Sequence, residues 1–148
     1  MYNKLNKIQV FKIMSLCLLT LILGSNISSV TAINTHLDSI TPITCEQGNS
    51  QKITAQLWIE NYFWDNPLTG EELYFQLRGG KLDNALVYNK SKDTRWPDGK
   101  ASLTIDTKDI RPGNYTLVIS YFGNTELANY GPCSVSTKFN VLPSNKTL

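Results

Sequence analysis

Beyond residue 42 the chain reads as short runs in which apolar and polar residues alternate. Ile53, Ala55, Leu57 and Ile59 alternate with Thr54, Gln56 and Trp58. This period of two marks a strand with one face in a core, here over residues 51–60. Residues 61–70 hold the turn signals Asn66-Pro67 and Thr69-Gly70, after which Leu73, Phe75 and Leu77 alternate with Glu72, Tyr74 and Gln76. Gly79-Gly80 closes that run. A shorter, less regular strand is expected over residues 82–88, then a polar loop over 89–98. Asp98-Gly99 forms a turn into Ala101, Leu103 and Ile105, and Tyr115, Leu117, Ile119 and Tyr121 make the next inward set. A last strand over residues 134–142 places Val135, Thr137, Phe139 and Val141 on one face. No segment carries a helical period with caps, and strands recur about every ten residues, so the reading is an all-β antiparallel domain of about seven strands over residues 42–142. Leu103, Ile105, Tyr115, Leu117 and Ile119 are its expected core. Residues 33–41 lack a period and are expected to be a polar leader, and 143–148 a short tail.

The first 32 residues follow a different logic. Lys4, Lys7 and Lys12 precede an apolar run over residues 13–23, and Val30-Thr31-Ala32 offers a cleavage site. That is the layout of a secretory signal peptide, and the run is shorter than the ~20 residues that span a bilayer. Cys17 lies inside the apolar run, not at its end after a small residue, which disfavours lipidation. Removal of residues 1–32 leaves 116 of the 148 residues, enough for one compact domain. Three of the 14 Lys and Arg residues leave with that segment, so 11 basic residues face 12 acidic ones. A balanced charge gives no electrostatic footprint for nucleic acid. The expected location is therefore secreted or envelope-associated, with no membrane span after signal removal. The C-terminal residues lack a hydrophobic tail, so no sorting anchor is expected there either. Cys45 and Cys133 are the remaining cysteines, and in an exported protein they form a candidate disulfide, with two independent thiols as the alternative.

Asp98-Gly99-Lys100-Ala101, Pro112-Gly113-Asn114-Tyr115 and Tyr121-Phe122-Gly123-Asn124 follow one another in an order that resembles immunoglobulin-like domains of prokaryotic surface and adhesin-type proteins. The resemblance covers about residues 42–141. It implies an immunoglobulin-like antiparallel β-sandwich, with Gly113 allowing a corner and Tyr115 folding inward so that its hydroxyl bonds upstream backbone, the tyrosine-corner device. Leu117 stands where antibody domains carry their second core cysteine, so their inter-sheet disulfide is not implied. The family implies surface attachment, spacing or adhesion, and transfers no fixed ligand residues. One loop departs from the usual polar composition, since it holds Tyr62-Phe63-Trp64.

In such a topology alternate loops gather at one end, which would bring Tyr62, Phe63 and Trp64, Trp96, and Tyr130 together from three connections. Large rigid aromatics suit a protein hot spot or a sugar platform. The bland alternative is a ring or two capping the core and the others scattered. Catalysis finds less support. His36, the lone histidine, sits in the leader, and Glu71 and Glu72, as strand neighbours, point to opposite faces. Asp93 with Asp98, and Asp106 with Asp109, lack the spacing of a calcium loop and read as turn residues. Asn89-Lys90-Ser91, Asn114-Tyr115-Thr116 and Asn145-Lys146-Thr147 match the glycosylation acceptor pattern. The resulting expectation is a non-catalytic, cofactor-free and metal-free extracellular scaffold or adhesion module that contacts a protein or glycan at a cell surface. A carbohydrate-binding module is the alternative, and a secreted enzyme or inhibitor the remote one. Self-association through an edge strand is a further expected contact.

Overall fold

A computed structural model describes residues 31–61, 63–79, 85–126 and 128–145. The proposed signal segment lies outside the described residues except for Thr31 and Ala32. Nine strands form among the described residues: β1 (Thr35–Leu37), β2 (Ile43–Glu46), β3 (Ser50–Ile59), β4 (Asn66–Pro67), β5 (Glu72–Gly79), β6 (Leu86–Asp93), β7 (Lys100–Asp106), β8 (Gly113–Tyr121) and β9 (Cys133–Leu142). No helix occurs among them, and hence none long and apolar enough to cross a membrane.

The strands divide into two sheets. In one, β3 is the hub. It pairs with β7 from Ser50↔Asp106 to Gln56↔Lys100, and its last residues pair with β1 and β4. The other sheet runs β2-β9-β8-β5-β6, antiparallel except for the parallel β2–β9 pair. This partition sets the first long strand, β3, against β7, the strand before the tyrosine corner, and gathers the last two strands with the second long one, β5. It is the immunoglobulin-like arrangement, with β6 added at the sheet edge. Alternation drives it. Ile53, Ala55 and Leu57 from one sheet meet Leu73, Phe75, Leu77, Leu117, Ile119 and Phe139 from the other, all buried. Each large side chain so buried contributes roughly 1.5–3 kcal/mol as an upper figure.

Four expectations are revised by the structure. The strands among the described residues number nine, where about seven are expected, with β1 three residues long and β4 two. Residues 35–37 of the supposed polar leader form β1, held by Thr35↔Ile59 and Leu37↔Leu57. The expected polar loop over 89–98 is strand as far as Asp93, because β6 lies at the sheet edge and bonds β5 through its backbone. Leu103 is only partly buried. At the corner, the buried Tyr115 donates its Oη hydrogen to the Arg111 carbonyl at 2.7 Å. Gly113 itself opens β8 without a left-handed φ, and a Cβ there would sit 3.7 Å from the Tyr115 ring, an ordinary contact. The corner geometry thus rests on the tyrosine and not on the glycine.

Candidate functional site at the loop end

Strand register decides which loops meet. Gln56↔Lys100, Glu72↔Asp93, Tyr74↔Ser120 and Tyr121↔Cys133 place the connections over residues 60–71, 94–99 and 122–132 at one end of the sandwich. Backbone bonds fasten the first two together. Gly70 N–H donates to the Thr94 carbonyl at 2.9 Å and Thr94 N–H to the Glu71 carbonyl at 2.8 Å. The buried Thr94 hydroxyl accepts from Glu71 N–H at 3.0 Å. Gly99, at φ +63°, packs so closely that a Cβ would lie 2.8 Å from the Leu57 carbonyl oxygen. In the third connection Asn124 and Tyr130 exchange backbone bonds of 3.1 and 2.7 Å. Gly131 N–H donates to the Ile33 carbonyl at 2.8 Å, and the Thr35 hydroxyl to the Gly131 carbonyl at 2.7 Å.

The aromatic residues singled out by sequence divide at this end. Phe63, Trp64 and Trp96 are 85%, 67% and 84% exposed. The Phe63 and Trp64 rings lie 6.0 Å apart and are tilted, whereas Trp96, followed by a cis bond to Pro97, has no ring partner among the described residues. Tyr130 is half-buried and packs against the core, so its ring caps the sandwich and is not part of the exposed set. Tyr62 lies outside the described residues. The structure adds Phe122, 67% exposed, whose ring lies 4.9 Å from that of Tyr74. Sequence reasoning used Phe122 only as part of a strand-end motif. The available signal was alternation, since Tyr121 points inward and its neighbour must point out.

Beside Phe122 is a cleft of about 340 Å³, lined by Glu71, Glu72, Tyr74, Tyr121, Asn124 and Glu126 among others. Glu71 and Glu72, neighbours on alternating faces, both border it. The Glu71 carboxylate accepts from Tyr121 Oη at 3.1 Å and from Asn124 Nδ2 at 3.0 Å. Burial, and then the hydrogen bond to Glu71, push the Tyr121 phenol well above its ordinary range. Glu72 accepts from Tyr74 Oη at 2.5 Å. Hydrogen bonds from Ser91 and then Tyr74 hold its carboxyl below the usual range.

His36 belongs to β1 and not to a mobile arm. Its Nδ1 lies 3.6 Å from Glu60 and its Nε2 3.8 Å from Asp65, and its ring stacks on Trp58 at 6.4 Å. Asp98 and Asp106 act as turn residues: each accepts from the backbone N–H two positions on, at 3.3 and 3.0 Å, and pairs with Lys100 or Lys108. Among the described residues no group of three or more His, Cys, Asp or Glu side chains is placed to hold a metal.

The candidate disulfide is corrected. Both thiols are free. Cys45 pairs with Val141 at one end of β9, while Cys133 pairs with Tyr121 at the other. At ~3.3 Å per residue, the eight positions from Cys133 to Val141 span ~26 Å, against the ~7 Å that a bridge allows between Cα atoms. Burial pushes both thiols upward in pKa.

No protein-family model matches the chain, and no curated protein does. Among solved structures, the chain is similar to an internalin-like protein of Listeria monocytogenes at a TM-score of 0.37 and 16% identity. That match covers 74% of this chain and 30% of the other. The M1 domain from titin matches at 0.36 and 18%, covering 75% and 95%. InlP of Listeria monocytogenes matches at 0.35 and 18%, covering 74% and 27%. This chain thus spans less than a third of either Listeria chain. With TM-scores this low, the fold assignment stands on strand order and register.

Proposed function

We propose that this protein is a non-catalytic extracellular module of the immunoglobulin-like class that adheres to a partner protein through its loop end. One observation carries the reading: Phe63, Trp64, Trp96 and Phe122, from three different connections, are all at least two-thirds exposed at the same end. Scattered single apolar residues on a surface need no explanation, but several large aromatics at one end do. Their rigid rings offer contact area at small entropic cost, as at protein hot spots. The Lys-rich start and apolar run of residues 1–23 support export, and the corner motif supports kinship with prokaryotic surface domains.

The test coats beads with the purified chain and measures their retention on intact cells before and after protease treatment of those cells. Retention is expected to disappear after protease and to fall at least tenfold in the Trp64→Ala, Trp96→Ala double variant. Equal retention of variant and wild type overturns the reading. A sugar platform is the second reading that the same rings favour. Retention that survives protease and is matched by hits on a glycan array would replace a protein partner with a glycan.

A further inference from the structure

The loop end carries charge as well as rings. Glu71, Glu72 and Glu126 border one cleft, and none has a Lys, Arg or His partner among the described residues. Glu72 also stands directly opposite Asp93 across the β5–β6 ladder, on the outward face. Among the described residues no Lys, Arg or His pairs with either carboxylate. Arg95 and Lys100 border a separate groove with Lys52. The acidic cleft has an aromatic wall, because Phe122 and Tyr74 meet at 4.9 Å and both line it. Ring faces attract cations, and carboxylates fix their position. Such a wall suits an organic cation on an apolar stem, since a Lys or Arg side chain lays its methylenes on a ring while its head meets carboxylates. A hard metal ion would gain nothing from the rings.

We infer that this cleft seats a lysine or arginine side chain projecting from the partner, so that the loop end selects a basic protein surface. The inference rests on the reading of the loop end as the adhesive end and names the chemistry of the partner. The exposed aromatics supply contact area around it, and the carboxylates supply selection by charge.

The experiment titrates the isotopically labelled chain with Nα-acetyl-lysine methylamide and Nα-acetyl-arginine methylamide, following amide shifts by NMR. Nα-acetyl-norleucine methylamide, which keeps the stem without the charge, is the control. Saturable millimolar binding is expected at residues 71–74 and 122–126, at least fivefold weaker in Glu72→Gln with Glu126→Gln and weakened again by 0.5 M NaCl. Both positions are exposed, and dispersed spectra would verify folding; Glu71 is spared because it holds Tyr121 and Asn124. Norleucine shifting the same amides equally, binding unchanged in the double variant, or saturation of the same amides by CaCl2 in place of the amino-acid amides would each overturn the inference. Bead retention separates the two levels. Loss in the Trp64 and Trp96 variant with none in the Glu72 and Glu126 variant defeats the cation site alone. Retention indifferent to the tryptophans, with amide binding intact, defeats the adhesive reading alone.

Discussion

Gly123 connects the fold to the loop end, and replacing it by alanine tests how firmly. Its φ is +87°, and an added Cβ would lie 2.6 Å from the Tyr130 carbonyl oxygen. That oxygen already accepts from Asn124 N–H at 3.1 Å, so it cannot retreat without breaking the pair that closes residues 124–130. Two costs therefore add. A left-handed backbone costs an L-residue roughly 1–2 kcal/mol, partly offset by about 0.4–1 kcal/mol from a stiffer unfolded chain. The clash with backbone adds roughly 1–3 kcal/mol, as overpacking does. Gly48 separates these contributions, because its φ is +92° but nothing lies within 4 Å of its added Cβ. Gly48→Ala is expected to cost ~1 kcal/mol and Gly123→Ala roughly 2–4 kcal/mol. Urea unfolding with unchanged m-values measures both. Gly123→Ala should also shift amides from Phe122 to Tyr130 while leaving the opposite end untouched. If the two variants lose equal stability, the close approach of Gly123 to Tyr130 is refuted and only the dihedral cost remains.

Thr107 is fully buried, its hydroxyl donating to the Asn49 carbonyl at 2.7 Å and accepting from Gly48 N–H at 3.1 Å. Thr107→Val is thus expected to cost about 1–3 kcal/mol by leaving the Gly48 N–H unpaired, since the Asn49 carbonyl keeps the Thr107 N–H, and Thr107→Ser about 0.8 kcal/mol for one methyl group; urea midpoints in any order but wild type, Ser, Val contradict this. Peptide mapping under non-reducing conditions is expected to find no Cys45–Cys133 peptide. Iodoacetamide should label both thiols more slowly than in the urea-unfolded chain, and labelling at equal rates would contradict their burial. In alkali, Tyr121 resists ionisation in the folded state while the unfolded phenol ionises near pH ~10. Its contribution to stability is therefore complete below pH ~10 and lost as pH rises further. Urea midpoints between pH 7 and 11 should fall less steeply in Tyr121→Phe than in wild type, and parallel curves would contradict the assignment.

The inward faces of the long strands were legible because a half-buried strand writes its burial as alternation. Leu73, Phe75 and Leu77 illustrate it, and Tyr115, Leu117 and Ile119 repeat it. The failures share a cause. β1 reads Thr-His-Leu and β6 ends in Asn-Lys-Ser-Lys-Asp, and both are strands through backbone bonds to a neighbour, which no side-chain pattern records. At the candidate site, the rings grouped by sequence differ in exposure: Phe63, Trp64 and Trp96 stand out while Tyr130 packs against the core. Tyr130 packs inward because its loop returns onto Ile33 through a long-range bridge, which spacing in sequence does not record. The acidic cleft was invisible for a related reason. Glu71 and Glu72 occupy alternating faces, and only the curl of residues 122–126 around the start of β5 makes them border one space. The cysteine pairing needed a distance along β9 that spacing in sequence does not give.

The two ends of the sandwich spend their polar and aromatic groups differently. At the corner end, Tyr115 turns its ring into the core and gives its hydroxyl to Arg111, while Thr107 binds the turn at Gly48 and Asn49. Those groups are satisfied within the chain, and their substitution acts on folding. At the loop end, Trp96 is 84% exposed and packs on no other ring among the described residues, and Glu72 stands opposite Asp93 with no cation paired to either among them. Such a tryptophan gives little to the folded state, since the ~25 cal/mol per Å² of apolar burial is not realised there. The corner is thus saturated within the chain, while the opposite end is left apolar and acidic. That contrast supports the proposal of a contact surface at residues 60–71, 94–99 and 122–132.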